Sequence, residues 1–271
     1  MLKIAFISDV HIGPSGYHKG IQRKLTENAE PYLNKFVERF SKTKNIVFAV
    51  QLGDLIQDSD LETDRTNYQK GITIFNKSPK SVHHVVGNHE LVNLSTEEIQ
   101  QTLGLESLYY SFDLGHYHFV ILFSHVRFPE TPGGIITDNQ LVWLQKDLAI
   151  TNKSTFVFTH QSLADQDLTG NPWFEGYPED CLVENRVEVR RLLNASGKVA
   201  AVVNGHLHWN HVDWHDGIPY ITVQSATENI DNAGTPAHAW GVMEIRGKSF
   251  TLIQHGNSPF KHQHDFVFKN G

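Results

Sequence analysis

Five short apolar runs in this chain each end in side chains that can hold a metal ion or move a proton. Ile4 to Ser8 leads into Asp9-Val10-His11, and Ile46 to Leu52 leads into Gly53-Asp54. Val82 to Val86 leads into Gly87-Asn88-His89-Glu90, Thr155 to Thr159 into His160, and Val199 to Val203 into Gly205-His206-Leu207-His208. Carboxylate, imidazole and amide donors without a thiolate suit Mn, Fe, Zn, Co or Ni. Imidazole is also the usual acid or base near neutral pH. One such cluster has a plain explanation, because Asp and Asn favour turns after strands. Five in series at the same end of their strands do not. In open α/β sheets, sites form beyond the carboxyl ends of strands, so five strand ends can deliver these groups to one place.

The elements that must do this positioning are legible from periodicity. The five runs read as buried strands. Residues 16–42 are polar, with Ala29, Leu33, Phe36, Val37 and Phe40 at the offsets of one helical face. Pro31 fits the first turn of that helix or separates it from a preceding helical piece. Residues 62–77 read as a helix. Ser95-Thr-Glu-Glu98 is a capping box, with Leu94 and Ile99 as its hydrophobic staple. Tyr109–Phe112 and Tyr117–Phe123 read as paired strands joined at Asp113-Leu-Gly115. Thr137-Asp-Asn-Gln140 reads as a second capping box, before Leu141, Leu144 and Leu148. Residues 162–182 read as an irregular loop, 183–195 as a helix, and 209–254 as short strands and turns, with Trp209 to His215 a strand beside the site. Helices alternate with strands to about residue 205 and β-structure dominates afterwards. No linker, repeat or low-complexity segment interrupts the chain, so 1–271 is expected to be one α/β domain.

Composition limits the functional classes. The 271 residues carry 23 Lys and Arg against 30 Asp and Glu, a net charge of −7. A nonspecific grip on nucleic acid needs a basic face, so the charge argues against that role. The lone cysteine, Cys181, cannot close a disulfide within the chain. No run approaches the roughly 20 apolar residues of a membrane span, and the N-terminal apolar run is too short for a signal-peptide core. The expectation is a cytoplasmic protein with no membrane partner.

In order and type, Asp9-Val-His11, Gly53-Asp54, Gly87-Asn-His-Glu90, His160 and Gly205-His-Leu-His208 resemble the signature of the calcineurin-like metallophosphoesterase superfamily. That signature reads D-x-H, G-D-x-x-D, G-N-H-[DE], H and G-H-x-H. The resemblance implies a four-layer α-β-β-α sandwich of two mixed β-sheets flanked by helices. It also implies two divalent or trivalent transition-metal ions (Mn, Fe or Zn), one held by Asp9, His11, Asp54 and His208. The other would take Asp54, Asn88, His160 and His206, with Asp54 bridging. Two such ions can share a hydroxide that attacks phosphorus while both clamp the phosphoryl group. His89 follows a ligand without being one, which implies a catalytic role at the phosphoryl group or leaving oxygen, or else one orienting Asn88 or Asp9. Glu90 implies helix-start or supporting structure. The last Asp of G-D-x-x-D falls on Gln57, with Asp58 next to it, which puts support of the site in question rather than metal binding.

Substrate choice is expected in the loops. Lys19 or Arg23, after the first ligand pair, could meet a phosphate. Trp173, Phe174 and Tyr177 could stack on a base or cap a pocket, or only pack the loop on itself. His83 and His84 precede a strand, with one expected to face solvent. His116, His118 and His125 read as structural, and His211 as a half-buried strand residue. The layout and the Gly133–Leu144 stretch are similar to phosphodiesterase-like members, including cyclic-nucleotide and glycerophosphodiester phosphodiesterases and manganese-dependent ADP-ribose/CDP-alcohol diphosphatases. The expected partner is therefore a small phosphoester, nucleotide-derived in the diphosphatase case. A phosphomonoesterase of the same fold is the alternative. So, from another class, is a metal-binding scaffold for a protein partner; members used that way typically lose the His of the G-N-H block, which this chain keeps.

Overall fold

A computed structural model describes residues 1–127 and 130–266. The first half runs β1 (Leu2–Ile7), β2 (Gly16–His18), β3 (Ile21–Lys24), α1 (Ala29–Lys42), β4 (Ile46–Leu52), α2 (Leu61–Phe75) and β5 (Val82–Val85). Then come α3 (Glu90–Asn93), α4 (Thr96–Leu103), β6 (Tyr110–Leu114), β7 (Tyr117–Ile121), β8 (His125–Arg127) and β9 (Thr131–Ile135). The second half runs α5 (Asp138–Ile150), β10 (Ser154–Phe158), α6 (Arg186–Ser196), β11 (Val199–Asn204), β12 (His211–His215), β13 (Ile218–Thr222), β14 (Trp240–Arg246), β15 (Ser249–His255) and β16 (Phe260–Asp265).

Two six-stranded mixed sheets carry the molecule. One has the order β16-β15-β14-β1-β4-β5, with β1, β4 and β5 parallel. The other has the order β12-β13-β11-β10-β7-β6, with β7, β10, β11 and β13 parallel and an antiparallel strand at each edge. Alternation along β1 sets the layers. Ile4 and Phe6 point between the sheets, where they join Phe48, Val50, Phe119, Phe156, Val203 and Phe250. Ala5 and Ile7 point outward, onto Leu33, Phe36, Phe40 and Phe75 of α1 and α2. On the far side, Val120, Val157 and Val202 pack on Leu144, Leu148, Val189 and Leu193 of α5 and α6. The result is the expected α-β-β-α sandwich. Its two buried sheets leave the carboxyl ends of five parallel strands as the place where polar groups can gather.

Several local expectations hold and some change. Helix α1 buries the five residues of the expected face, with Pro31 in its first turn. Ser95 and Glu98 form the capping box at α4, and Leu94 and Ile99 are buried in one cluster. Residues 16–24 are not helical. They form a hairpin whose two turn residues, Lys19 and Gly20, both have positive φ, +50° and +79°. That is the turn geometry matching the twist of paired strands. Strand β3 then docks on the 225–229 loop through Leu25 N–H to the Thr227 carbonyl (2.9 Å) and Asn229 N–H to the Arg23 carbonyl (2.7 Å). Thr137 starts α5 without a side-chain cap. Gln140 turns inward instead, accepting from Phe123 N–H (2.9 Å) and donating to the Phe123 carbonyl (2.7 Å) beyond β7. His83 and His84 lie within β5 and neither is exposed: His83 stacks on Phe112 and His84 meets Phe75 edge-on. Burial pushes them down to about 4 and about 3.

His118 on β7 is clamped between Asp147 of α5 (2.8 Å) and Asp113 of β6 (2.7 Å). Burial opposes its charge, but the two carboxylates outweigh burial and hold its pKa above the ordinary value. A raised folded-state pKa adds stability below the unfolded value of about 6.5 and loses it as pH rises through the folded value. His118→Gln is therefore expected to lower Tm more at mildly acidic than at alkaline pH. A Tm loss independent of pH would contradict the clamp.

Candidate metal centre

The chain leaves each strand by a turn that aims a donor inward. Asp9, His11, Asp54, His206 and His208 all have positive φ, between +51° and +66°, and they are five of the nine non-glycine residues so placed among the described residues. Each such conformation costs on the order of 1–3 kcal/mol. Hydrogen bonds past the strand ends offset that cost. Asp9 N–H reaches the Gly53 carbonyl (3.1 Å), His11 N–H the Asp54 carbonyl (3.1 Å), and His206 N–H the Asp9 carboxylate (3.1 Å to Oδ2). Gly87 must be glycine because a Cβ there would sit 2.1 Å from Asp54 Oδ1.

Two buried donor sets result, and they share one residue. Asp9, His11, Asp54 and His208 bring one ligand atom each within 4.8 Å of one another, as do Asp54, His160 and His206. Asn88 Oδ1 lies 3.2 Å from His160 Nε2 and completes the second set as an amide donor. Within the first, His208 Nε2 is 3.3 Å from Asp9 Oδ1 and 3.1 Å from His11 Nε2. His160 Nε2 is 3.1 Å from Asp54 Oδ2. The seven residues expected from the sequence are therefore together.

Surrounding groups fix which nitrogen each imidazole offers. His160 Nδ1–H donates to the Leu52 carbonyl (2.7 Å), and His208 Nδ1–H to Glu228 Oε2 (2.7 Å), leaving Nε2 bare in both. His206 Nε2–H faces the Asp180 carbonyl (3.3 Å), so its Nδ1 is the free donor. His11 has no partner on its buried Nδ1, and its Nε2 faces the same cluster as His208 Nε2. The residues present fit a dinuclear metal site.

Charge in this cluster is tightly coupled. Burial disfavours an ionised Asp54, yet His160 and His89 beside it hold its carboxyl well below the usual range. Asp9 is also buried but lowered, chiefly by His208. Burial and the charge on His160 push His206 down to about 3, and burial with Lys24 keeps His11 neutral. His160 is buried too, but the Asp54 carboxylate raises it to about 9.

A model of the calcineurin-like phosphoesterase family matches residues 2–210. The chain belongs to that family. This phosphoesterase is a metal-dependent phosphoester hydrolase by membership, and its solved structural relatives share the fold at low identity. A dimetal phosphatase from Danio rerio is 18% identical, with TM-score 0.76, covering 96% of this chain and 98% of that one. GAP50 of Plasmodium, described as the anchor in the inner membrane complex, is 14% identical with TM-score 0.64, covering 99% and 90%. The phosphopantetheinyl hydrolase PptH of Mycobacterium tuberculosis is 14% identical with TM-score 0.51, covering 82% and 89%. No curated protein sequence matches the chain. No described helix is long and apolar enough to cross a membrane.

The phosphoesterase's donor sets open into a cavity of about 1050 Å³. His89 lines it, with Nδ1 bonded to the Asp58 carboxylate and Nε2 2.8 Å from Lys24 Nζ. Asp58, one residue beyond the position the family pattern uses, thus reaches His89, and Gln57 Nε2 braces Asp58 (3.1 Å). Of the loop aromatics, Trp173 and Phe174 line the cavity. Tyr177 is exposed and lies outside its lining. Neither Lys19 nor Arg23 lines it: Lys19 sits in the hairpin turn, and Arg23 is buried against Glu228 and Asn232. His211 stacks on Trp209 and also lies outside the lining.

Sequence reasoning passed over Lys24 and Glu228. Lys24 had a weak signal, as the last residue of a Gly-Tyr-His-Lys-Gly-Ile-Gln-Arg-Lys hairpin; Glu228 had none. Glu90 does more than start a helix. Its buried carboxylate accepts four backbone N–H groups, from Asp54 (3.2 Å), Leu55 (2.5 Å), Ile56 (3.2 Å) and Gly87 (2.8 Å), so it ties two donor-bearing turns together. Burial and the Asp54 carboxylate push its pKa up to about 7. Each orphaned buried N–H costs about 1–3 kcal/mol. Glu90→Ala is therefore expected to destabilise by several kcal/mol in urea denaturation and Glu90→Gln by clearly less, and small, equal losses would show that the carboxylate does not hold the turns.

Proposed function

We propose that this phosphoesterase hydrolyses a small phosphodiester or nucleotide-diphosphate-type substrate at a two-ion centre. One ion would be held by Asp9, His11, Asp54 and His208, the other by Asp54, Asn88, His160 and His206. The observation that carries the reading is the pair of overlapping buried donor sets opening into one large cavity. Two such ions supply Lewis-acid polarisation of the phosphoryl group and activation of water. The cavity exceeds what a phosphoryl group needs, and Leu91, Val92, Val126 and Pro132 give its walls apolar surface. Trp173 and Phe174 add aromatic faces. That lining favours a second substituent on phosphorus over a bare monoester. Arg127, also in the lining, suits a further phosphate.

His89 is assigned to the substrate. Its ring is edge-on to His11 at 4.9 Å between centroids. Asp58 takes Nδ1, so Nε2 is the atom that can meet a phosphoryl or leaving oxygen. In the free protein Nε2 accepts the Lys24 hydrogen bond; an incoming substrate must replace it, and Nε2 must carry a proton taken from solvent or from Lys24 to serve a leaving oxygen. A group so placed adds roughly 10²–10⁴-fold when it moves a proton in the transition state.

The direct test is a panel of p-nitrophenyl mono- and diesters, cyclic nucleotides and sugar- or alcohol-linked nucleoside diphosphates, with Mn²⁺, Fe²⁺ or Zn²⁺ added back to chelated protein. Diester or diphosphate turnover with about two ions bound is expected, and Asp54→Ala should reduce uptake at both positions. Monoester turnover alone would favour the phosphomonoesterase; metal uptake with no turnover would favour a binding scaffold.

Replacing His89 separates chemistry from ion binding. His89→Ala is expected to keep both ions and to lose about 10²-fold or more with an alkoxide leaving group. The loss should be much smaller with p-nitrophenolate, which needs little protonation. Equal losses on both substrates would rule out proton transfer, and loss of metal would make His89 structural.

A further inference from the structure

We infer that Lys24 is an additional catalytic residue, whose ammonium group binds a non-bridging phosphoryl oxygen beside the metal centre, and that Gln57 positions it. The inference rests on the phosphohydrolase reading above. Lys24 is 4% exposed, yet its side chain forms part of the cavity wall. A buried lysine is rare unless something takes its charge. Its ammonium has three N–H bonds. One reaches Gln57 Oε1 at 2.9 Å, and one reaches His89 Nε2 at 2.8 Å. Among the described residues no carboxylate is paired with Nζ, whose bonds go to Gln57 and His89. The charge sits instead beside the Trp173 ring, 5.1 Å from its centroid, at the cavity wall.

The hairpin is built around this side chain. Gly16 faces Lys24 across the β2–β3 pair, and a Cβ on Gly16 would lie 2.8 Å from Lys24 Cδ, so the stem runs over the bare glycine toward the site. Gln57 occupies the position where the family pattern carries Asp. An Asp there would draw the ammonium into an ion pair. An amide oxygen holds it by a neutral hydrogen bond and leaves its charge available, while Asp58 is engaged by His89. The Gln57–Asp58 arrangement therefore frees a cation for an anionic ligand. An oriented ammonium in a dry site stabilises charge on the phosphoryl oxygens of the transition state without reorganising at the moment of reaction.

Inorganic phosphate is the probe, with its affinity for the fully metal-loaded protein measured by calorimetry and metal stoichiometry measured on the same samples. Lys24→Met is expected to keep the wild-type metal content, weaken phosphate binding roughly 10- to 100-fold, the range for a lost charged hydrogen bond, and lower kcat/KM by about 10² or more. Lys24→Arg should recover part of both losses. Gln57→Leu keeps the charge without its anchor and should lose less than Lys24→Met, and mainly in kcat. Phosphate affinity and kcat/KM of Lys24→Met within about twofold of wild type would overturn the inference. So would a fall in metal content that tracks the loss, because Lys24 would then only balance the buried acids. Should wild type turn over no ester of the panel, the functional reading fails, while the phosphate-binding arm still decides for or against Lys24.

Discussion

Four carboxylates, those of Asp9, Asp54, Glu90 and Glu228, lie almost without solvent in one small volume. Burying an ion costs several kcal/mol even after relaxation, and gathering four of one sign makes the cost larger. The local structure can be understood as the supply of compensation. Glu90 is given four peptide N–H groups. Glu228 is given Arg23, the Trp173 indole and His208. Asp9 takes the His206 N–H and the Ser8 hydroxyl. Asp54 receives the His89 backbone N–H (3.0 Å) and lies beside the His160 and His89 imidazoles. It is the only one of the four common to both donor sets, so a cation beside it serves both.

The same constraint explains why the strain is where it is. Asn88 and His160 reach the site without a left-handed residue, but the other five donors do not. Left-handed turns at Asp9, His11, Asp54, His206 and His208 bend the donors back over the strand ends. Such turns persist only when surrounding structure over-determines them. Here that structure is the apolar filling between the sheets, to which the five donor-bearing strands contribute Phe6, Phe48, Val85, Phe156 and Val203. The core's rigidity keeps the donors converging.

How much of this could be read beforehand follows from how local each determinant is. The strand ends and seven donors were legible because each depends on a short apolar run followed by a polar cluster, and because their order repeats a known signature. Helix α1 is legible from a five-residue apolar face with Pro31 in its first turn. The 16–24 hairpin is not, because its polar residues carry no period of their own. Thr137 and Gln140 have the spacing of a capping box; only the tertiary structure shows that Gln140 is spent on Phe123. Lys24 and Glu228 lie about 200 residues apart in sequence and meet only as bridge partners when β3 docks on the 225–229 loop. No local pattern announces a contact of that kind.

Glu228 shows how that docking reaches beyond charge balance. Its Oε2 accepts both His208 Nδ1–H (2.7 Å) and Trp173 Nε1–H (3.0 Å). One oxygen therefore orients a donor of the first set and an aromatic wall of the cavity. His18 lies against Trp173, at 5.1 Å between ring centroids, and Lys24 Nζ lies 5.1 Å from its ring centroid. The His208 ring also meets Trp173 edge-on at 5.3 Å, so two hairpin residues, Glu228 and a donor of the first set hold the indole. A change in either segment would move the cavity wall and the His208 donor together. One contact between the first and last thirds of the chain thus couples the cavity wall to the His208 donor.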